Sequence, residues 1–317
     1  MRTFFAVRAA QFLGAVILLV GAGAAIAQEE PSRFAGGAGF DVTSDSDGFR
    51  TYRARVGGAY AYQNPWSYSG VAVQSTRYSQ DGFQQDVPAV LGTYRDQRRD
   101  NLVGVDIQAG VARVSGHLRP IGDASYRFMP SNTTSVDFLA SADLVESPEA
   151  LRRGIGYGFF AVGVEQDLTD RFAVTAYAGY QPFSDGNART HFRGRLIWTA
   201  LPEQGVSLQL RYRQYATRDL DVDNAYFNPE RYRQWLAVAA LRHRYAGWMF
   251  TGALGAGQER ATGSGSQGSY LAEVRAEGPF AGDSRLIFHA GYYRAAGFID
   301  FDGYAYRSIG AEVVVPF

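Results

Sequence analysis

Charged side chains recur at every second residue in several stretches of the chain. Arg53 and Arg55, Asp106, Asp137 and Asp143, Arg193 and Arg195, Arg211 and Arg213, Glu273, Arg275 and Glu277, Arg285 and Glu312 stand in such runs, with Gln108 and Gln209 among them. Groups of this kind hold polar solutes by ion pairs and hydrogen bonds. They catalyse only when a nucleophile, an acid–base pair or a metal joins them. No such partner emerges. Gly263-Ser264-Gly265-Ser266-Gln267-Gly268 has dinucleotide-loop spacing, but no helix follows to receive a phosphate, so it is expected to be a flexible loop. Asp41, Asp45 and Asp47 before Gly48 suggest a calcium loop, yet Thr43 breaks the ligand spacing and no Glu stands at the twelfth position. His117, His191, His243 and His289 are scattered, without metal-ligand spacing. His191 and Asp185 fall near one expected loop, as a membrane-embedded hydrolase would require, but such pairs arise easily by chance. The expectation is a protein without metal, cofactor or catalysis.

Composition bounds what must position these charges. The 317 residues are 46% hydrophobic and 14% aromatic, with 37 Gly and no Cys, which excludes disulfides, thiolate metal sites and Cys nucleophiles. All 31 basic residues are Arg, balanced by 31 acids, so there is no positive footprint for nucleic acid. A mean hydropathy of -0.20 excludes a bundle of membrane helices. Arg2 and Arg8, an apolar stretch from Ala9 to Ala24 and Ala25-Ile26-Ala27 form an export signal. Cleavage there divides the chain into a leader, 1–27, and a mature domain, 28–317. The leader takes two Arg with it, leaving 29 against 31 acids.

Beyond the leader, period-two alternation recurs, with no convincing helical period. Val206, Leu208, Leu210 and Tyr212 oppose Ser207, Gln209, Arg211 and Arg213. Val136, Phe138, Ala140 and Ala142 likewise oppose Asp137, Ser141 and Asp143. Candidate strands are 34–43, 49–62, 66–78, 86–96, 101–114, 117–129, 133–146, 153–167, 171–183, 188–200, 205–217, 231–245, 247–260, 267–280, 283–297 and 304–317. These are long enough to cross a bilayer at a tilt. Aromatics near their ends (Trp66, Tyr68, Phe128, Phe172, Tyr245, Trp248, Phe280, Tyr304, Tyr306) suit interfacial girdles. The last strand alternates Ile309, Ala311, Val313, Val315 and Phe317, resembling the assembly signal of bacterial outer-membrane barrels. The fold expected is an all-β, antiparallel up-and-down transmembrane barrel of about sixteen strands. Fourteen is the alternative, because 86–96 alternates weakly.

If the last strand ends on the periplasmic side, alternate connections must be short. Gln63–Pro65, Arg98–Asp100, Pro130–Asn132, Thr169-Asp170, Pro202–Gln204, Ala246-Gly247 and Ala281-Gly282 fit. The opposite set, including Ser79–Gln85, Ser147–Arg152 and Arg218–Glu230, is longer apart from Ser115-Gly116, and no inward-folding loop is evident. The polar faces then line a wet lumen with charges of both signs interspersed, suited to a bulky, near-neutral solute.

One loop adds a resemblance. In Tyr226-Phe227-Asn228-Pro229-Glu230-Arg231-Tyr232, Pro229 stops pairing, Asn228 favours a turn and the aromatics cap a barrel rim. The run resembles a stretch in the outer-membrane porins of exopolysaccharide secretion: the cellulose synthase operon protein C type, the poly-N-acetylglucosamine export porin and small stand-alone relatives. The likeness runs from about Gly154 to Phe317. It implies passage of a polysaccharide through a channel without catalysis, in the outer membrane of a Gram-negative bacterium. The implied partners are outer-membrane lipids, the barrel assembly machinery and the polysaccharide itself. Those relatives carry periplasmic helical repeats, whereas Gln28–Arg33 alone precede the first strand here. A separate periplasmic scaffold protein would have to supply them. The competing readings are a general diffusion porin and an outer-membrane enzyme.

Overall fold

A computed structural model describes residues 34–295 and 304–317; the expected export signal lies outside them. Sixteen antiparallel strands follow one another around a closed barrel: β1 Ala35–Asp45, β2 Arg50–Asn64, β3 Ser67–Gln80, β4 Phe83–Gln97, β5 Gly104–Val114, β6 His117–Ser131, β7 Thr134–Leu144, β8 Gly156–Asp167, β9 Phe172–Pro182, β10 Ala188–Leu201, β11 Val206–Thr217, β12 Arg231–Tyr245, β13 Trp248–Ala261, β14 Gln267–Pro279, β15 Arg285–Ala295 and β16 Tyr304–Pro316. β1 closes on β16 over Ala35↔Pro316 to Asp45↔Tyr306, so no strand edge is left open. Phe317 N donates to Phe34 O, and the two rings stack. Both described chain ends therefore meet at one rim, called here the terminal end.

Closure makes the alternation legible. Val56, Val73, Val90, Val111, Val162, Leu196, Leu210, Leu254, Val274 and Ile309 are exposed on the outer face, as lipid-facing residues must be. Aromatic belts flank this band. Near the terminal end Phe172 stacks with Trp198 and Trp248 with Phe250. Toward the far end Tyr212 packs against Phe192 and Trp235. Three expected girdle residues belong elsewhere: the ladders carry Tyr68, Tyr304 and Tyr306 on the inner face, opposite Arg95, Ala295 and Tyr293.

β4 settles the strand count at sixteen. Its weak alternation has a physical cause: Val87, Ala89 and Leu91 are apolar on the inner face while Val90 and Pro88 face out. Connections also differ from expectation. β3 and β4 run on to a tight turn at Asp81-Gly82, where Gly82 has φ 74°, because the ladder extends to Gln80↔Phe83. The β4–β5 connection is longer than Arg98–Asp100 and spans 98–103, held by Asn101 Oδ1 accepting from Val103 N. Most consequentially, residues 145–155 between β7 and β8 contain a helical turn, α1 Pro148–Arg152. Ser147 caps it, Pro148 opens it and Glu149 lies in its first turn, a signature too short to register as helical periodicity.

Candidate functional site: the barrel lumen

The pairing registers put all fourteen charged residues singled out above on the inner face. Arg53 lies opposite Asp41, Arg55 and Glu312 opposite Gly39, Asp106 opposite Arg95, and Asp137 opposite Arg127. Asp143 lies opposite Tyr157, Arg193 opposite Arg213, Arg195 opposite Arg211, and Glu273 opposite Ala253. Arg275, Glu277 and Arg285 complete the set toward the terminal end. Both signs are interspersed over much of the wall, but β9–β12 carry arginines and no acid.

In the sector β1–β8 many of the charges are paired. Arg127 makes a two-pronged contact with Asp137 (2.6 and 2.9 Å), which also accepts from Tyr177 OH at 2.8 Å. Arg95 donates to Asp106 at 2.6 Å, and His289 meets Asp41 at 2.9 Å. Gly310 makes the latter contact sterically accessible, since a β-carbon there would sit within 2.5 Å of the Asp41 carboxylate and the His289 ring. Arg55 reaches across β3 and β4 to Gln108 on β5 at 2.7 Å. Arg53 lies 3.7 Å from Asp143 and 3.5 Å from Glu146. β2 and β7 are five strand spacings apart, about 24 Å of wall, so this wall curves tightly enough for its side chains to meet.

α1 fills the space that remains. Leu151 is 0% exposed and shares a core with Val87, Ala89, Leu91, Ala112, Val114 and Ile121. Burial of such a leucine contributes roughly 1.5–3 kcal/mol. Ser115 Oγ donates to Leu151 O at 2.8 Å and Arg119 Nε to Gly154 O at 2.6 Å, fixing the loop to the inner wall. The expected absence of an inward-folding loop is thus overturned. A five-residue helix needs no amphipathic repeat to bury two side chains, which is why periodicity missed it.

The aromatic loop motif joins this closure. Tyr226 is buried rather than a rim cap: its ring stacks on Phe183 at 5.0 Å and its hydroxyl donates to Asp185 at 2.9 Å. Asn187 Nδ2 donates to Tyr226 Oη and to Asn228 Oδ1, both at 3.1 Å, while Arg189 donates to Phe227 O. Pro229 O accepts from Thr217 Oγ1 at 2.8 Å. Ser147 Oγ donates to Ala225 O, and Ala150 and Ile155 pack against Val222, Ala225 and Tyr226, tying the two loops together. Tyr232 instead points inward from β12, donating to Glu259 at 2.7 Å and accepting from Arg213 at 2.8 Å. His191 bonds to Gln181 rather than to Asp185, so the hydrolase-like pair does not form.

A far-end cavity of about 1030 Å³ lies among these loops, lined by Asp45, Asp143, Glu146 and Glu149 with Arg152 and Arg189. Burial pushes the Glu146 carboxyl up to about 7, against the opposing pull of Arg53. The Tyr226 hydroxyl is pushed up to about 12, mainly by burial.

The sector β9–β13 differs. Arg193 and Arg195 are exposed on the inner face, and Arg211 is half-buried. Glu273 and Arg275 are exposed beside them on β14. Toward the terminal end Glu277 pairs with Arg275 and Arg285, and Arg285 lies over the Trp66 ring. Side chains open to water on the inside of a sixteen-strand barrel mark an aqueous lumen. Sequence reasoning passed over Arg189, although it shares the parity of Arg193 and Arg195 on β10, and over Glu259 on β13, where nothing was singled out; it weighed His191 only as a metal or hydrolase candidate.

Fold and lumen together define an outer-membrane-type β-barrel with a partly filled channel. The sequence matches no protein-family profile and no curated protein. Among solved structures, the chain is similar to a bacterial polysaccharide outer membrane secretin: TM-score 0.65, 10% identity, covering 91% of this chain and 100% of that one. CdiB from Acinetobacter baumannii overlaps less (TM-score 0.47, 12% identity, 88% of this chain and 60% of that). So does OccK7 (OpdD) from Pseudomonas aeruginosa (0.41, 9%, 90% and 98%).

Proposed function

We propose that this barrel is a passive outer-membrane conduit for a secreted polysaccharide. The observation that carries the reading is the open sector β9–β13, where exposed arginines and inward tyrosines line a lumen whose overall architecture matches a polysaccharide secretin. Guanidinium and phenol groups hydrogen-bond sugar hydroxyls without enclosing them, which suits a sliding polymer. Membrane insertion would rest on the assembly machinery engaging the last strand and Phe317, and any periplasmic coupling on a separate scaffold protein.

Proteoliposomes loaded with labelled linear oligosaccharides test this. With the barrel present, the oligosaccharides are expected to leave without new reducing ends. Release of a disaccharide but not of oligosaccharides would instead establish a diffusion porin, the reading that the inward α1 loop favours. New reducing ends would establish an enzyme.

A further inference from the structure

Strands β9 to β12 contain no Asp or Glu, yet their inner faces carry Arg189, Arg193, Arg195, Arg211, Arg213 and Arg242. The register places Arg193 directly across from Arg213 and Arg195 directly across from Arg211. Like charges opposite one another across a ladder are destabilising. Arg213 is relieved by the hydroxyls of Tyr232 and Tyr293, at 2.8 and 2.6 Å. Among the described residues, no ion pair reaches Arg193, Arg195 or Arg211. Arg193 lies over the Phe159 ring and Arg211 donates to Gln209. Glu273 is the acid whose charge reaches Arg211. Elsewhere in the lumen the same chain neutralises Arg53, Arg95 and Arg127 with carboxylates, while Arg55 donates to Gln108. A like-charged ladder open to water attracts anions. Its rungs are about 6.7 Å apart along each strand, so it repeats along the channel as a polymer's charges would.

We propose that the transported chain is an anionic glycan, bearing carboxylate or sulfate groups along its length, and that Arg193, Arg195, Arg211 and Arg213 form its track. This rests on the polysaccharide reading and departs from the near-neutral solute expected from sequence.

The test is calorimetric titration of the folded barrel, in detergent at low salt, with matched linear oligosaccharides: an oligouronate, a sulfated oligosaccharide and a neutral oligoglucoside. The anionic ligands are expected to bind about tenfold or more tighter than the neutral one, with the preference lost at high salt. A combined Arg193→Gln, Arg195→Gln and Arg211→Gln variant should lose the preference, its affinity for the anionic ligands falling to that for the neutral one. Arg195→Gln alone, at an exposed position, serves if the triple variant does not fold. Equal binding of neutral and anionic oligosaccharides would overturn the anionic track and leave the conduit standing. Binding of none of them would overturn both. Reversal potentials in planar bilayers under a KCl gradient read the same charges without sugar. Chloride preference that weakens in the variant supports the track, and potassium preference in the unaltered barrel overturns it.

Discussion

Arg127 on β6 and Arg195 on β10 are both luminal arginines of one barrel. The first is locked to Asp137, whose side chain is 6% exposed and also holds Tyr177. The second faces another arginine and open water. The sector of Arg127 holds paired charges, an apolar floor and α1. The strands around Arg195, β9–β12, carry no acid. Identical residue types are thus paired with carboxylates in one sector and left facing one another in the other, and the distinction lies in the neighbours.

That contrast can be broken most sharply at its extremes. Asp137→Ala leaves Arg127 half-buried without its carboxylate and should cost about 3–5 kcal/mol, read as a fall in the urea midpoint of the barrel in lipid vesicles. Arg195→Ala should change the same midpoint by roughly 0.5 kcal/mol or less. A comparable loss at both positions would erase the distinction between sectors. Leu151→Asp, which puts a charge into the apolar floor, should release the β7–β8 loop at a cost of about 2–5 kcal/mol in local packing. Single-channel conductance should rise with the strand ladder intact; unchanged conductance would mean that α1 does not obstruct the path. Gly310→Ala, crowding Asp41 against His289, should cost about 1–3 kcal/mol, checked by thermal melting of the folded band on gels.

The smallest effect is a pH dependence at the junction of the sectors. Glu146 is raised in the folded state, so the fold binds its proton more tightly than the unfolded chain does. Its contribution is therefore full at pH below the ordinary carboxylate range and lost as pH rises through about 7. Limited proteolysis of residues 145–155 should be faster at pH 8 than at pH 5. Glu146→Gln, which mimics the protonated form, should flatten the difference.

Much of this was legible residue by residue. Val206 to Arg213 declares both of its faces, and β11 keeps them: Leu208 and Leu210 outward, Arg211 and Arg213 inward. β4 was ambiguous because Val87, Ala89 and Leu91 cover α1, so its inner face lacks the polarity that would betray it. Tyr68, Tyr304 and Tyr306 were misplaced on the girdle because a tyrosine near a strand end suits a membrane interface and a wet interior equally. The motif Tyr226 to Tyr232 was visible, but its work of tying loops together depends on Asn187, Asp185 and Ser147, distant in sequence.

A closed antiparallel barrel with a polar inside is already implied by the residue pattern. Period two assigns every strand residue to a face, and a chain in lipid must satisfy its backbone hydrogen bonds by closing. Which luminal charges meet is set by the fold. Facing in is a property of one strand, whereas pairing depends on register and curvature across many, and on a short loop that folds into one sector and leaves the other open.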